Sequence, residues 1–117
     1  MSDRPHFDAT DFAPAEILGS AEPVGYWGDA RLKPGVDAAD VESTMRAVME
    51  AAREEPGYEL YAIYHSPEEA GSYRISERWK TGADLRMHIE NPDLYPYLGR
   101  FAETLDFSNA QWVRAVV

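Results

Sequence analysis

Three side chains in the stretch SYRISERWKTGADLRMHIENPDLYPYL (Ser72–Leu98) could do chemistry together: Glu77, Trp79 and His88. An imidazole, with an unperturbed pKa of about 6.5, can take or give a proton at neutral pH. An indole offers a flat apolar face for stacking and one N–H for a carbonyl or an oxyanion. Trp79 and His88 are therefore the candidate catalytic pair, in a pocket that would take a flat aromatic molecule. Each residue also has an ordinary use. Trp79 could be core, His88 could hydrogen-bond a carbonyl from a helix face, and Glu77 could pair with an arginine across a sheet.

The elements that must position these residues follow from periodicity and punctuation. SYRISERWK (72–80) alternates as a strand, with Tyr73, Ile75, Glu77 and Trp79 on one face and Arg74, Ser76, Arg78 and Lys80 on the other. YELYAIYH (58–65) is dense in strand formers, and the loop SPEEAG joins the two runs into an antiparallel hairpin. Thr81–Asp84 resembles a capping box and opens a helix whose inner stripe is Leu85, His88 and Ile89. Asn91-Pro92 stops it. Asp93 can cap a further helix with a stripe of Leu94, Leu98, Phe101, Ala102 and Leu105, and AQWVRAVV (110–117) is the closing strand.

Upstream, VGYWGDARL (24–32) is the first strand, ended by Lys33-Pro34-Gly35. Gly28 leaves a gap in the face it shares with Tyr26, Ala30 and Leu32, a place for close approach of a ligand or another side chain. A helix over 37–55 is capped by Asp37, carries Val41, Met45, Val48, Met49 and Ala52 on one stripe, and stops at Pro56-Gly57. The order β-α-β-β-α-(α)-β predicts an α+β fold, the ferredoxin-like split βαβ with an antiparallel sheet and helices on one face. Trp27, Tyr61, Ile63 and Trp112 are the candidates for the uncovered face. Aromatic and aliphatic side chains there, at roughly 1.5–3 kcal/mol each on burial, predict a homodimer packed sheet on sheet.

Residues 1–22 are rich in Asp, Pro and Ala and read as an N-terminal extension with little regular structure, ahead of one domain over 23–117. Phe7, Phe12, Ile17 and Leu18 could dock part of it on the domain. His6, Asp8 and Asp11 match no metal-ligand spacing, and a solvated tail is the reading preferred for them. The 117 residues carry a formal charge of −10 and no cysteine. That balance argues against nucleic acid and anionic membrane surfaces as partners, and excludes disulfides and thiolate chemistry. No apolar run approaches the ~20 residues of a membrane span, and no apolar segment near the start reads as a secretory signal. A cytoplasmic protein is expected.

Taken in order, Lys33-Pro34-Gly35, Pro56-Gly57, Ser66-Pro67, Glu77, Trp79, Leu85, His88 and Pro92 resemble the antibiotic biosynthesis monooxygenase family, small dimeric α+β-barrel proteins that include quinol monooxygenases. The resemblance covers about residues 24–117. It implies oxygenation of hydroquinones, anthrones or polyketide-like phenols by dioxygen, with no metal, flavin or haem, because the substrate itself supplies the electrons. For that task His88, by its pKa and its place on the helix stripe, would be the base, and Trp79 its catalytic partner. Tyr26, Gly28, Tyr73, Glu77, Tyr95 and Arg78 are the expected substrate contacts, with Arg86 able to counter a phenolate. A binding protein with the same pocket and no turnover is the alternative. Haem-degrading relatives provide another, although they carry an Asn on the first strand where this chain reads Gly25-Tyr26-Trp27-Gly28-Asp29-Ala30.

Overall fold

The computed structural model describes residues 7–116. In chain order the elements are a short helix α1 (Ala15–Leu18), β1 (Val24–Leu32), α2 (Ala38–Ala52), β2 (Tyr58–His65), β3 (Ser72–Trp79), α3 (Gly82–Ile89), α4 (Tyr95–Thr104) and β4 (Leu105–Arg114). The four strands form one sheet in the order β2-β3-β1-β4, every neighbouring pair antiparallel. This is the α+β, ferredoxin-like arrangement expected from the order of elements. The helix ends are chemically explicit. The Asp37 carboxylate accepts from the Ala39 N–H to open α2, and the Thr81 hydroxyl accepts from the Asp84 N–H to open α3. The core lies between the helices and one face of the sheet, built on Val24, Val41, Val48, Trp79 and Leu85.

The far end of the chain differs from expectation. β4 begins at Leu105, pairing with Leu32, so Leu105 opens a strand and does not close a helix. Ala102 is exposed, and Thr104 is buried in its place. Asn91, not Asp93, caps the turn after α3: its side chain accepts from the Asp93 N–H and leads a 3-10 turn (Pro92–Leu94) into α4.

Strand register also corrects the expected second face. Tyr61, Glu77, Tyr26 and Trp112 lie opposite one another in a single row across β2, β3, β1 and β4. They share the helix-covered face, as does Ile63 opposite Ile75. A bulge between Tyr58 and Leu60 is the reason on β2, because one extra residue reverses the alternation there. Of the four residues assigned to the open face, only Trp27 is on it. Leu60 and Tyr64 join it by their pairing with Arg78 and Arg74.

The segment before β1 has more structure than its composition suggests. It forms a 3-10 turn (Ala9–Asp11), capped by the Asp8 carboxylate, and then α1. Ala9, Ala13, Ile17 and Leu18 are buried in the main core cluster, and Phe7 packs edge-on against Tyr95 at 4.9 Å. Small apolar residues spaced through a polar sequence were enough to bury it, a signal that overall composition hides. His6 lies outside the described residues, and among those described no cluster of His, Cys, Asp or Glu could hold a metal ion.

Gly82, at the start of α3, is the seat of this segment. Its N–H donates to the Ser20 carbonyl at 2.9 Å. A Cβ at Gly82 would stand 2.1 Å from the Ile17 carbonyl oxygen and 2.5 Å from that of Leu18. Gly82→Ala is therefore expected to displace the segment and cost about 1–3 kcal/mol in urea unfolding. A midpoint equal to that of the wild type would show that the segment adds nothing to stability.

Candidate functional site

The row Tyr61–Glu77–Tyr26–Trp112 places one carboxylate among three aromatic rings on the covered face of the sheet. Above it stands His88, which α3 aims inward because His88 shares the helical stripe of Leu85 and Ile89. Glu55 arrives from the other side. It follows the end of α2, ahead of Pro56-Gly57, where Gly57 takes a φ of 74° that turns the chain into β2.

These residues form a continuous buried chain. His88 Nδ1 lies 2.7 Å from Glu55 Oε1, and Nε2 lies 3.6 Å from Glu77 Oε1. The Trp79 indole N–H donates to the same Glu77 Oε1 at 3.1 Å. The imidazole stacks on the Trp79 ring at 4.5 Å and meets Tyr61 edge-on at 5.5 Å. Asn91 Nδ2 donates to Glu55 Oε2 at 3.2 Å. Trp79 is fully buried and His88 is 3% exposed.

Electrostatics follow from this enclosure. Burial alone would disfavour a charged His88, but the hydrogen bond to Glu55 and the charges of Glu77 and Glu55 outweigh it and raise the ring's pKa. Burial pushes Glu77 up. The charge of His88 and the Trp79 hydrogen bond pull it back in part, and Glu55 adds to the rise. Burial, then Glu77 and Asp29, raise Tyr26; burial, then Glu77, Tyr26 and Glu55, raise Tyr61 well above the usual phenol value. Both phenols therefore stay protonated and able to donate.

The expected site residues divide into two groups. Trp79, His88, Glu77 and Tyr26 are together. Gly28 serves the group from below: its missing Cβ is where the Tyr26 hydroxyl rests, since a Cβ there would lie 2.1 Å from that oxygen. The gap in the strand is thus filled by a side chain of the protein. The remaining three are elsewhere. Tyr73 donates to Glu42 Oε2 at 2.7 Å, near the start of β3. Tyr95 donates to the Glu90 carbonyl at 3.0 Å. Arg78 is on the open face of the sheet, paired with Glu59 at 2.9 Å. Arg86 pairs with Glu90 one helical turn away.

Four members of the site were not foreseen: Glu55, Tyr61, Asn91 and Trp112. Strand pairing decides Tyr61 and Trp112. Glu55 and its neighbour Glu54 are indistinguishable in sequence, and only the path of the chain after α2 turns Glu55 inward. Asn91 was visible solely as a helix stop. Glu55 and Asn91 also border a cleft of about 820 Å³ between the end of α2 and the α3–α4 connection, lined further by Met87, Leu94 and Tyr97. The buried chain of groups therefore runs from the sheet to the edge of a surface cleft.

The antibiotic biosynthesis monooxygenase family profile matches residues 30–94. No match was found among curated proteins. Among solved structures, the chain is similar to SnoaB, a cofactor-independent oxygenase from Streptomyces nogalater. That similarity has a TM-score of 0.73 at 14% identity, covering 83% of this chain and 96% of that one. It is also similar to Rv0793 from Mycobacterium tuberculosis (TM-score 0.71, 19% identity, 82% and 97% covered). The similarity to PA3566 from Pseudomonas aeruginosa has a TM-score of 0.69 at 19% identity, with 82% and 96% covered. At these identities the likeness is one of fold.

The buried His88 has a consequence for stability. Its folded pKa is raised, so its contribution is fully present below the ordinary histidine value of about 6.5 and is lost as pH rises through the folded value. Glu77, also raised, acts in the same direction. The groups facing His88 are Glu55 from the end of α2, Glu77 and Trp79 from β3, and Tyr61 from β2. The Tm is expected to fall as pH rises above about 6.5, and the part of that fall due to the imidazole is expected to be missing in His88→Asn. An equal fall in both proteins, by circular dichroism, would locate the titration elsewhere.

Proposed function

The chain belongs to the antibiotic biosynthesis monooxygenase family, and from that premise we propose that it oxygenates an electron-rich aromatic substrate, a hydroquinone, anthrone or polyketide-like phenol, with dioxygen and no cofactor. The observation that carries the proposal is the ionisable chain Glu55–His88–Glu77, whose Glu77 sits within an aromatic row of the sheet. Deprotonation is the one task the substrate cannot do for itself. Once ionised, it is the reductant.

The chemistry balances without an external electron source. For an anthrone, a base removes a proton from the methylene carbon. The carbanion adds to dioxygen, forming a C–O bond, and the peroxide takes up the proton. Loss of the remaining C–H proton with cleavage of the O–O bond yields the ketone and one water. The substrate loses four electrons and dioxygen gains four. The protein must bind a flat ring, accept a proton and keep water out. Buried aromatic rings suit the first and last tasks. The phenols of Tyr26 and Tyr61, held protonated, can donate to the developing oxyanion.

The haem alternative gains nothing from the geometry. Both His88 nitrogens face carboxylates, so a metal bond to the ring would break one of those contacts first. A non-catalytic binding protein would use the same rings, with the chain Glu55–His88–Glu77 serving only to fix the packing.

We also propose that the protein acts as a homodimer through the open face of the sheet. Support comes from Trp27, Leu60 and Tyr64, which stay 46%, 40% and 58% exposed there. Sedimentation at micromolar protein is expected to give a dimer, and Leu60→Asp with Tyr64→Asp a monomer; a monomeric wild type would refute the assembly. For the reaction, metal-free protein is expected to consume dioxygen with reduced naphthoquinones or anthrones, one dioxygen per substrate. Quinone-dependent quenching of tryptophan fluorescence without any uptake would favour the binder.

A further inference from the structure

We propose that Glu77 is the group that takes the substrate's proton, and that His88 and Glu55 are positioning residues that hold the Glu77 carboxylate ionised inside the fold. The inference rests on the oxygenase reading and assigns roles within it.

Three observations lead there. First, both His88 nitrogens face carboxylates: Nδ1 is hydrogen-bonded to Glu55 at 2.7 Å and Nε2 stands 3.6 Å from Glu77 Oε1, at ion-pair distance, while the ring stacks on Trp79 and meets Tyr61 edge-on. An imidazole clamped between two carboxylates is favoured as its cation, and a cation has no lone pair to offer. Secondly, both contacts on Glu77 fall on Oε1, from the Trp79 N–H and from His88. Among the described residues no hydrogen bond ends on Oε2, and no fully enclosed side-chain oxygen lacks a partner. Oε2 is the atom left for a substrate. Thirdly, Glu77 stands opposite Tyr26, whose ring packs on Trp112 at 4.7 Å, and both rings are partly exposed. A flat ring against that pair would carry its hydroxyl or methylene to the carboxylate.

The division of labour has a physical basis. A lone carboxylate in this enclosure would be driven neutral by desolvation and could accept nothing. A neighbouring cation keeps it ionised. Glu55 in turn stabilises that cation, with Asn91 holding its second oxygen. The charged and titratable groups around Glu77 are His88 from α3, Glu55 from the end of α2, Tyr61 from β2 and Tyr26 from β1. The proton taken from the substrate by Glu77 returns to the peroxide, so the carboxylate is regenerated each turnover.

The test compares Glu77→Gln, His88→Asn and Glu55→Gln in pH profiles of kcat. Glu77→Gln is expected to lose about 100-fold or more at every pH. The other two should shift the acid limb upward by about one unit, because Glu77 has lost its cation or that cation its support, and should recover at high pH. Loss at all pH in His88→Asn with activity kept in Glu77→Gln overturns the assignment. A second measurement needs no turnover. Alizarin, a flat phenol whose anion absorbs at longer wavelength, is bound to each protein below the dye's own transition. The anion band on the wild type and the phenol band on Glu77→Gln support Glu77 as acceptor even if no dioxygen is consumed, in which case only the oxygenase reading fails. The same band on both, or no binding to the wild type, overturns the proposal.

Discussion

The contact between His88 and its two carboxylates is the constraint on which the interior depends. Taking an imidazole and two carboxylates out of water is costly, and one interaction cannot offset it. Here the three groups neutralise one another in part, the Trp79 N–H donates to Glu77 Oε1 and the Asn91 amide to Glu55 Oε2. The arrangement needs the end of α2, the last turn of α3 and the end of β3 at fixed distances. Each is held separately: the Gly57 turn sets Glu55, the Thr81 cap sets the start of α3, and the pairing of Trp79 with Val24 and Tyr58 sets β3. A polar chain of this kind discriminates strongly among packings, because a helix shifted by one turn would leave a charge buried alone.

The N-terminal segment belongs to the same logic. It packs beside α3, with α1 against both that helix and β4 and the Ala9 N–H donating to Glu90 Oε2 at 2.9 Å. These contacts brace the helix that carries His88. Gly82 is the device that allows this, since only a residue without a side chain lets the Ile17 and Leu18 carbonyls come so close. What reads as a solvated tail by composition is a clamp on the helix that carries the histidine.

The legible and the illegible parts of the molecule separate along a physical line. Periodicity within an element is local, and it placed Trp79 and Glu77 on one strand face and His88 on the inner stripe of α3. Capping chemistry is equally local, and Asp37 and Thr81 open their helices as expected. Pairing between strands is not local. One bulge near Tyr58 moved Tyr61 and Ile63 to the covered face, and no alternation count within β2 could reveal it. Glu55 is the sharper case. Its partner is far along the chain, and its identity as a site residue exists only once α2 and α3 are side by side.

This separation bears on how a site can be read from residue type. Histidine attracts the role of base because its unperturbed pKa suits neutral pH. Yet a pKa belongs to an environment, and the environment of His88 consists of the two carboxylates that sequence alone leaves unconnected to it. Once they are in place, the residue most able to exchange protons in water is shifted toward its cation. Glutamate, an indifferent base in water, gains strength from the same enclosure, because burial raises it while His88 keeps it charged. The exchange of roles between Glu77 and His88 follows from three contacts, His88 Nδ1 to Glu55, His88 Nε2 to Glu77 and the Trp79 N–H to Glu77, rather than from either residue's own chemistry.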